Sequence, residues 1–362
     1  MTGDRLPVVV VGAGAIGETH ADAVLRHPRL RLAAVVDPSP PARLALTARV
    51  GATPFATLPE ALAETPGSLV TICTPTGLHG ALAGAALDAG AHVLIEKPVD
   101  AALAVARQLA TRDDELAARG IVASVVSQHR FDPASVAVAS ALRSGGLGQV
   151  TSAVASVPWW RAQSYYDSAD WRGTWALDGG GALTNQGIHT VDLLIWLLGV
   201  PVEVSAYTGR LAHEGIEVED VAVATLRFPS GALAVLHATT AGYPGLGVRV
   251  QVHGTQGSAV IHDDQLEFLE TAAGVRAADA VPAGELRGAP KPADNMVVGH
   301  LRQYDDVVAA IDGHRPPGVG LRDGLLALAV VHSVYASAAL GRPVTVADVL
   351  AGAHDDLVGA AR

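Results

Sequence analysis

The first chemistry the sequence offers is a polar triplet in an apolar stretch: Asn185, His189 and Asp192 within Gly179-Gly180-Gly181-Ala182-Leu183-Thr184-Asn185-Gln186-Gly187-Ile188-His189-Thr190-Val191-Asp192. Three glycines permit close backbone approach or an unusual turn, and the segment from Ala182 to Gly199 then reads as an apolar helix with a glycine stop. On that helix Asn185 and His189 are one turn apart and Asp192 lies a further turn along, so the three groups point from nearly the same face, where a substrate is expected. An imidazole there can hold a hydroxyl or take its proton near neutral pH, and an amide can hold the hydroxyl as well. Asp192 can fix an orientation or cap local polar groups. Taken alone, a histidine inside Ile-His-Thr-Val-Asp-Leu-Leu is more often a satisfied core residue, and it is the rest of the sequence that overturns this reading. The second candidate is Lys97. Only Lys97 and Lys291 among the 25 basic residues are lysines, so a chain that otherwise uses arginine has kept a lysine where chemistry is the better explanation.

The elements that must position these groups begin at the N-terminus. Val8-Val9-Val10-Val11 is a β-branched run followed at once by Gly12-Ala13-Gly14-Ala15-Ile16-Gly17 and a helical stretch from Glu18 to His27. This is the strand, G-x-G-x-x-G turn and helix of a dinucleotide site. Gly12 makes the tight turn, Gly14 lets the backbone approach a pyrophosphate, Gly17 lets helix pack on strand, and the helix start at Ala15 and Ile16 presents N–H groups to phosphate. The next strand, Leu30 to Val36, ends in Asp37, about twenty residues after the last glycine, where a carboxylate accepts from ribose hydroxyls and repels a 2′-phosphate. No arginine directly follows Asp37, so NAD is expected rather than NADP. Two more strand–helix units follow, Leu69 to Thr74 and His92 to Ile95. They end in Thr74-Pro75-Thr76 with His79, and in Glu96-Lys97-Pro98, at the carboxyl edge of a parallel sheet where the nicotinamide should lie.

Together, Gly12-x-Gly14-x-x-Gly17, Thr74-Pro75-Thr76 with His79, Glu96-Lys97-Pro98, and the triple-glycine stretch with His189 and Asp192 resemble the Gfo/Idh/MocA family of oxidoreductases over essentially the whole chain. The resemblance implies an α/β protein with an N-terminal Rossmann domain, a doubly wound parallel sheet. A C-terminal α/β domain follows, whose large, open, mostly antiparallel sheet often forms a homodimer or homotetramer interface. It implies reversible hydride transfer between a nicotinamide and a secondary alcohol, commonly of a sugar or cyclitol. Lys97 matches the family's catalytic lysine and His189 its helix histidine. Physically, hydride leaves a carbon only as the attached hydroxyl loses its proton, so a base must lie within reach. A lysine partly buried beside a positive ring has a lowered pKa that suits this role. Asn185 departs from members that carry aspartate one turn before the histidine, because an amide cannot titrate. The wording Asn-Gln-Gly-Ile-His is closer to members that oxidise nucleotide-linked sugars.

After about residue 125 the βαβ rhythm stops, which puts the boundary between residues 1–126 and 127–362. Val122 to Ser127 is a strand leading into Gln128-His129-Arg130-Phe131-Asp132-Pro133, a turn expected to cross between domains, with Arg130 a candidate substrate ligand. The loop Pro158 to Asp178 gathers Trp159, Trp160, Tyr165, Tyr166, Trp171 and Trp175 with Arg161 and Arg172. Aromatic faces suit the apolar side of a sugar ring and arginines suit a carboxylate or phosphate, so Trp160, Arg161, Tyr166, Trp171 and Arg172 are read as a substrate or cofactor lid. Alternating strands near 202–207, 221–228, 232–239 and 249–254 read as an antiparallel meander, 284–295 as a loop, and 298–312 and 321–340 as helices that close the second domain. His213, His237, His253 and His262 lack the spacing of a metal site, and none is expected.

A net charge of −11 over 362 residues argues against nucleic acid and anionic membrane as partners. The one cysteine, Cys73, has no internal partner, the first strand begins too early to leave room for a secretory leader, and the run Leu325 to Val334 is too short to span a bilayer. A cytoplasmic protein is expected. The reading is an NAD-dependent dehydrogenase of a sugar, sugar acid, nucleotide sugar or cyclitol. Its alternatives are a lyase or glycosidase that uses NAD for transient oxidation and a non-catalytic NAD-sensing regulator.

Overall fold

Val8, Val9 and Val10 have no polar side chain to leave in water, and each is fully buried, a contribution of roughly 1.5–3 kcal/mol per residue. They form the centre of β1 (Leu6–Val11) in a computed structural model that describes residues 5–291 and 293–358. β1 pairs in parallel with β2 (Leu30–Val36) and β4 (Leu69–Ile72). β3 (Thr53–Phe55), β5 (His92–Ile95) and β6 (Ala123–Val125) extend the sheet, all parallel, in the order β3-β2-β1-β4-β5-β6. That is the strand order of a dinucleotide-binding α/β sheet, with its switch point between β1 and β4. The three-residue strand β3 contains Pro54 and gave no pattern in the sequence. A proline is tolerated there because β3 is an edge.

The chain divides into two compact units, residues 1–128 with 293–325, and residues 129–292 with 326–362. The helix Asn295–Gly313, expected to close the second domain, therefore belongs with the first unit. Its buried Tyr304, Val307 and Val308 join the core cluster that holds Ala21, Val24 and Leu30, and Arg29 reaches Asp312 in a two-point ion pair. Of the loop expected over 284–295, Pro292 lies outside the described residues.

The second unit is built on an eight-stranded sheet in the order β13-β12-β11-β7-β10-β9-β8-β14. Its strands are β7 (Val150–Pro158), β8 (Glu203–Gly209), β9 (Val221–Arg227), β10 (Leu233–Thr239), β11 (Arg249–Gly254), β12 (Gly257–His262), β13 (Gln265–Thr271) and β14 (Val344–Thr345). Every pairing is antiparallel except β7 with β10. The β12–β13 hairpin escaped the sequence reading because its turn is Asp263-Asp264, both at positive φ, rather than an Asn-Gly pair. Alternation puts Ala153, Ala155 and Val157 of β7, Ala222 and Ala224 of β9, and Ala234, Leu236 and Ala238 of β10 on the buried face. These small side chains let the helix Ile188–Leu198 lie close on the sheet, with Val191 and Leu194 fully buried.

The helix Leu321–Leu340 is longer than the apolar run that marks it. By length and composition it could cross a membrane, yet 72% of its most apolar window is buried inside the protein, as for a core helix. From it Tyr335 donates to Glu219 Oε1 at 3.0 Å, while the backbone N–H groups of Gly181 and Leu183 donate to the same carboxylate at 2.9 and 2.8 Å. Burial nevertheless pushes Glu219 up to about 7 against those donors. The backbone is so close here that a Cβ at Gly181 would lie 1.7 Å from the carbonyl oxygen of Glu219. Gly181→Ala is expected to cost about 1–3 kcal/mol, the range of overpacked cores. Urea denaturation reads it, and an unchanged midpoint would contradict this approach.

Candidate active site

In the first unit the glycine turn is assembled as a nucleotide cradle. Gly12 has φ of 102°, and a Cβ on it would lie 2.5 Å from the carbonyl oxygen of Cys73; a Cβ on Gly17 would lie 2.0 Å from that of Gly12. Around Gly14, by contrast, there is open space, and the helix Ala15–Arg26 starts there with no side chain capping its N–H groups. A negatively charged pyrophosphate fits such a start, where Ala15 and Ile16 lie in the first turn. Asp37 ties the turn to the end of β2. Its Oδ2 accepts from the Ala13 backbone at 2.9 Å and its Oδ1 from Ser39 at 2.8 Å, leaving further lone pairs for ribose hydroxyls. The Arg43 guanidinium donates to the carbonyl oxygens of Asp37 and Pro38 at 3.2 and 3.1 Å, so an arginine does reach this end from six positions along, although none directly follows Asp37 in sequence.

At the carboxyl edge, Thr74 has a buried hydroxyl with no partner among the described residues, the kind of orphan that a bound group satisfies. The turn Pro75-Thr76 is held by His79, whose ring nitrogens lie 2.8 Å from the carbonyl oxygens of Thr74 and Pro98. Lys97 precedes a cis Pro98. Glu96, read from sequence as a cofactor contact, turns its carboxylate inward instead, where it accepts from the Lys97 backbone at 3.1 Å and meets His20 and His300. The open space at Gly14, the orphaned Thr74 hydroxyl and the Asp37 carboxylate all fit NAD.

The second unit carries the helix residues. Residues Ala182–Gly187 form a π-helical turn that passes into the α-helix Ile188–Leu198. Such turns accompany functional sites more often than chance. Between residues 181 and 190 only Asn185 and His189 escape burial. Asp192, expected on the same accessible face, is instead buried in a two-point pair with Arg130, Nε to Oδ2 at 2.8 Å and Nη2 to Oδ1 at 2.6 Å. Two residues read as substrate ligands thus bind one another, and it is the buried pairing with Arg130 that takes Asp192 away from the accessible side.

Asn185 donates from Nδ2 to Asp178 Oδ1 at 2.8 Å, and Asp178 Oδ2 accepts from the Gly173 backbone at 2.8 Å. Asp178 was missed in the sequence, although its place just before the three glycines was the available signal. His189 packs edge-on against His129, ring centres 5.1 Å apart. His129 Nδ1 lies 2.8 Å from Asp132 and 3.1 Å from Asp264, which also pairs with Lys291 at 3.2 Å. Burial works against a charge on His129, but Asp264 and Asp132 outweigh it and raise its pKa to about 10. Such clusters, this one and His20–Glu96–His300, join residues from distant positions and cannot be seen from local spacing.

In the aromatic loop the Arg161 guanidinium lies over Tyr165 at 4.8 Å and Trp159 at 5.1 Å, and that of Arg172 over Tyr165 at 4.3 Å and Trp171 at 4.6 Å. Nε of each is buried without a hydrogen-bond partner among the described residues, as is Gln186 Oε1. Trp160 is half-exposed and meets Tyr243 edge-on. Tyr166, read as a substrate contact, is packed with Ile216 and Val218 and bonds Thr240 at 2.8 Å, because burying its ring requires a partner for its hydroxyl. Tyr165, which the sequence did not single out, is the ring both arginines share.

Residues 6–124 match the oxidoreductase family with an NAD-binding Rossmann fold, and residues 136–260 match the GFO/IDH/MocA C-terminal domain. The chain belongs to the Gfo/Idh/MocA family of oxidoreductases: it is an NAD-binding enzyme of the class that acts on CH–OH groups. Inositol 2-dehydrogenase of Rhizobium meliloti (strain 1021) is 28% identical over 93% of this chain and 98% of its own. The WlbA dehydrogenase from Bordetella pertussis, solved with NADH and UDP-GlcNAcA, has a TM-score of 0.82 and 32% identity over 94% of this chain and 98% of its own. GenD2 from gentamicin A biosynthesis, solved with NAD, has a TM-score of 0.80 and 30% identity over 95% and 97%.

The His129 pair predicts a pH dependence of stability. A raised folded pKa means that the stabilisation is complete below the unfolded value, about 6.5, and is lost as pH rises through about 10. The melting-temperature gap between the wild type and Asp264→Asn is therefore expected to shrink across that window. A constant gap would show that His129 does not carry the charge.

Proposed function

We propose that this enzyme oxidises a secondary hydroxyl of an anionic sugar, a sugar acid or a nucleotide-linked uronate, with the hydroxyl proton handled by Lys97 and His189. The observation that carries the substrate class is the pair Arg161 and Arg172. In a chain of net charge −11, both guanidiniums stack on Tyr165 with Nε buried and unpartnered, and neither has a carboxylate partner among the described residues. Two unneutralised guanidiniums among aromatic rings suit a substrate that brings its own negative charge. The structural neighbour solved with UDP-GlcNAcA supports that class, and the inositol 2-dehydrogenase relative supports a ring hydroxyl as the reacting group.

When bound, NAD supplies the hydride acceptor. The protein's part is to remove the proton and hold the ring. Donation to Asp178 fixes which end of the Asn185 amide is the acceptor, so Oδ1 can take a hydrogen bond from a substrate hydroxyl. His189 sits one turn on at the same accessible surface, and the lysine amine is the base. NADH formation across cyclitols, neutral sugars, sugar acids and nucleotide-sugar uronates tests the reading. Turnover of an anionic class is expected, falling about 10²–10⁴-fold in Lys97→Ala, the usual worth of a general base. KM is expected to rise mainly in Arg172→Met. Turnover confined to neutral cyclitols would refute the substrate class, and a fully active Lys97→Ala would refute the base.

The eight-stranded sheet is proposed to pair with a second copy. Tyr207, Val223, Leu233 and Val235 of β8, β9 and β10 are exposed on the face opposite the alanines, with Tyr207 directly across from Val223. An apolar face of neighbouring strands is the usual mark of an interface. Sedimentation should show a dimer or tetramer that Val223→Lys with Val235→Lys dissociates; a wild-type monomer would refute it.

A further inference from the structure

Five polar residues of the first unit that the reaction leaves unused converge on the inward side of Glu96. His20 on the helix Ala15–Arg26, Thr71 on β4, His300 and Tyr304 on the helix Asn295–Gly313, and Glu96 itself at the end of β5 are all buried. Glu96 Oε1 lies 3.0 Å from His20 Nε2 and 3.3 Å from His300 Nε2, and Oε2 accepts from the Lys97 backbone at 3.1 Å. His300 Nδ1 lies 2.7 Å from the Met296 carbonyl oxygen, and His20 Nδ1 lies 2.9 Å from the Tyr304 hydroxyl, which is 2.9 Å from that of Thr71.

Each contact limits which atom donates. A carbonyl oxygen only accepts, so His300 Nδ1 carries a proton. An ionised carboxylate only accepts, so both Nε2 atoms carry one as well. His20 then needs nothing further, because Thr71 donates to Tyr304 and Tyr304 to His20 Nδ1. The set closes with one surplus proton, on His300. The surroundings of His20 and Glu96 agree with their part in this distribution. Burial and then the neighbouring His300 lower the pKa of His20, which keeps it neutral. Burial opposes the charge on Glu96, but hydrogen bonds from His20 and His300 hold it well below the usual carboxylate range. The other titratable groups nearby, Cys73 and Tyr304, are pushed up by burial and stay neutral.

We propose that His20, Glu96 and His300 form a buried, charge-paired clamp that positions Lys97, with His300 protonated on both ring nitrogens and His20 on Nε2 alone. The clamp joins the helix that follows the glycine turn, the end of β5 just before Lys97 and the helix Asn295–Gly313, so the lysine backbone is referenced to the nucleotide cradle. The role in turnover rests on the reading of Lys97 as the base; the proton assignment does not.

Neutron diffraction from perdeuterated wild-type crystals reads the protons without any variant. Deuterium on both nitrogens of His300 and on Nε2 but not Nδ1 of His20 is expected; deuterium on Glu96, or a bare nitrogen on His300, overturns the clamp. For positioning, Glu96→Gln and His300→Gln are each expected to lower kcat about 10–100-fold, as small misplacements do, with the KM for NAD little changed. Removing one partner strands a buried charge, so the double variant should lose less than the product of the two single losses. Losses that simply multiply, or fall on KM alone, also overturn it. An active Lys97→Ala refutes only the role of the base, whereas an inactive Lys97→Ala beside a neutral His300 refutes only the clamp.

Discussion

A carboxylate withdrawn from water has to be answered by donors, and in this protein those donors are repeatedly the backbone N–H groups of the stretches expected to do chemistry. Glu96 accepts from Lys97, Asp178 from Gly173 in the aromatic loop, and Glu219 from Gly181 and Leu183 at the entrance to the π turn. Desolvation makes an unanswered carboxylate too costly to keep, so each of these segments is held in the one conformation that supplies the donors. The same segments are irregular, and no ladder of regular hydrogen bonds would otherwise define them. Acidic side chains here do the work that strand pairing does elsewhere in the molecule.

The neighbouring charges are graded by their surroundings. Glu219, answered only by neutral groups, is pushed up by burial, whereas Glu96, answered by two imidazoles, is held down. Asp264, with His129 and Lys291 beside it, is also held low despite burial. The difference lies in whether the partner can itself carry charge, not in the number of hydrogen bonds.

Much of the first unit was legible in the sequence because its signals are local. Continuous β-branched runs mark buried parallel strands, and glycines at fixed offsets mark the turn between β1 and its helix. The acidic residue closing β2 lies where the unit requires it. The alternation in β7 to β11 was equally readable. What escaped was long-range or unconventional: the return of the helix Asn295–Gly313 to the first unit, the Asp263-Asp264 hairpin, and the buried partnerships of Glu96 and Asp192. Spacing along the chain identified Asn185 and His189 as a pair. It could not show that Arg130 and Asp192 neutralise each other, that Tyr166 is needed in the core, or that Asp178 stands behind Asn185, since each depends on residues brought together only by the fold.

The alanine-lined face of the eight-stranded sheet has a consequence for how such an enzyme can diverge. Because β7, β9 and β10 present mostly small side chains, the helix above them is seated by Val191, Leu194 and their buried neighbours, while Asn185 and His189 reach the accessible side and answer to Asp178 and His129 instead. The apolar seat of the helix is thus inherited separately from the reactive groups, whose constraint lies in the few polar partners behind them, Asp178 above all. A single scaffold can in this way be re-specified by exchanging a reactive side chain together with the polar partner behind it, leaving the apolar seat unaltered.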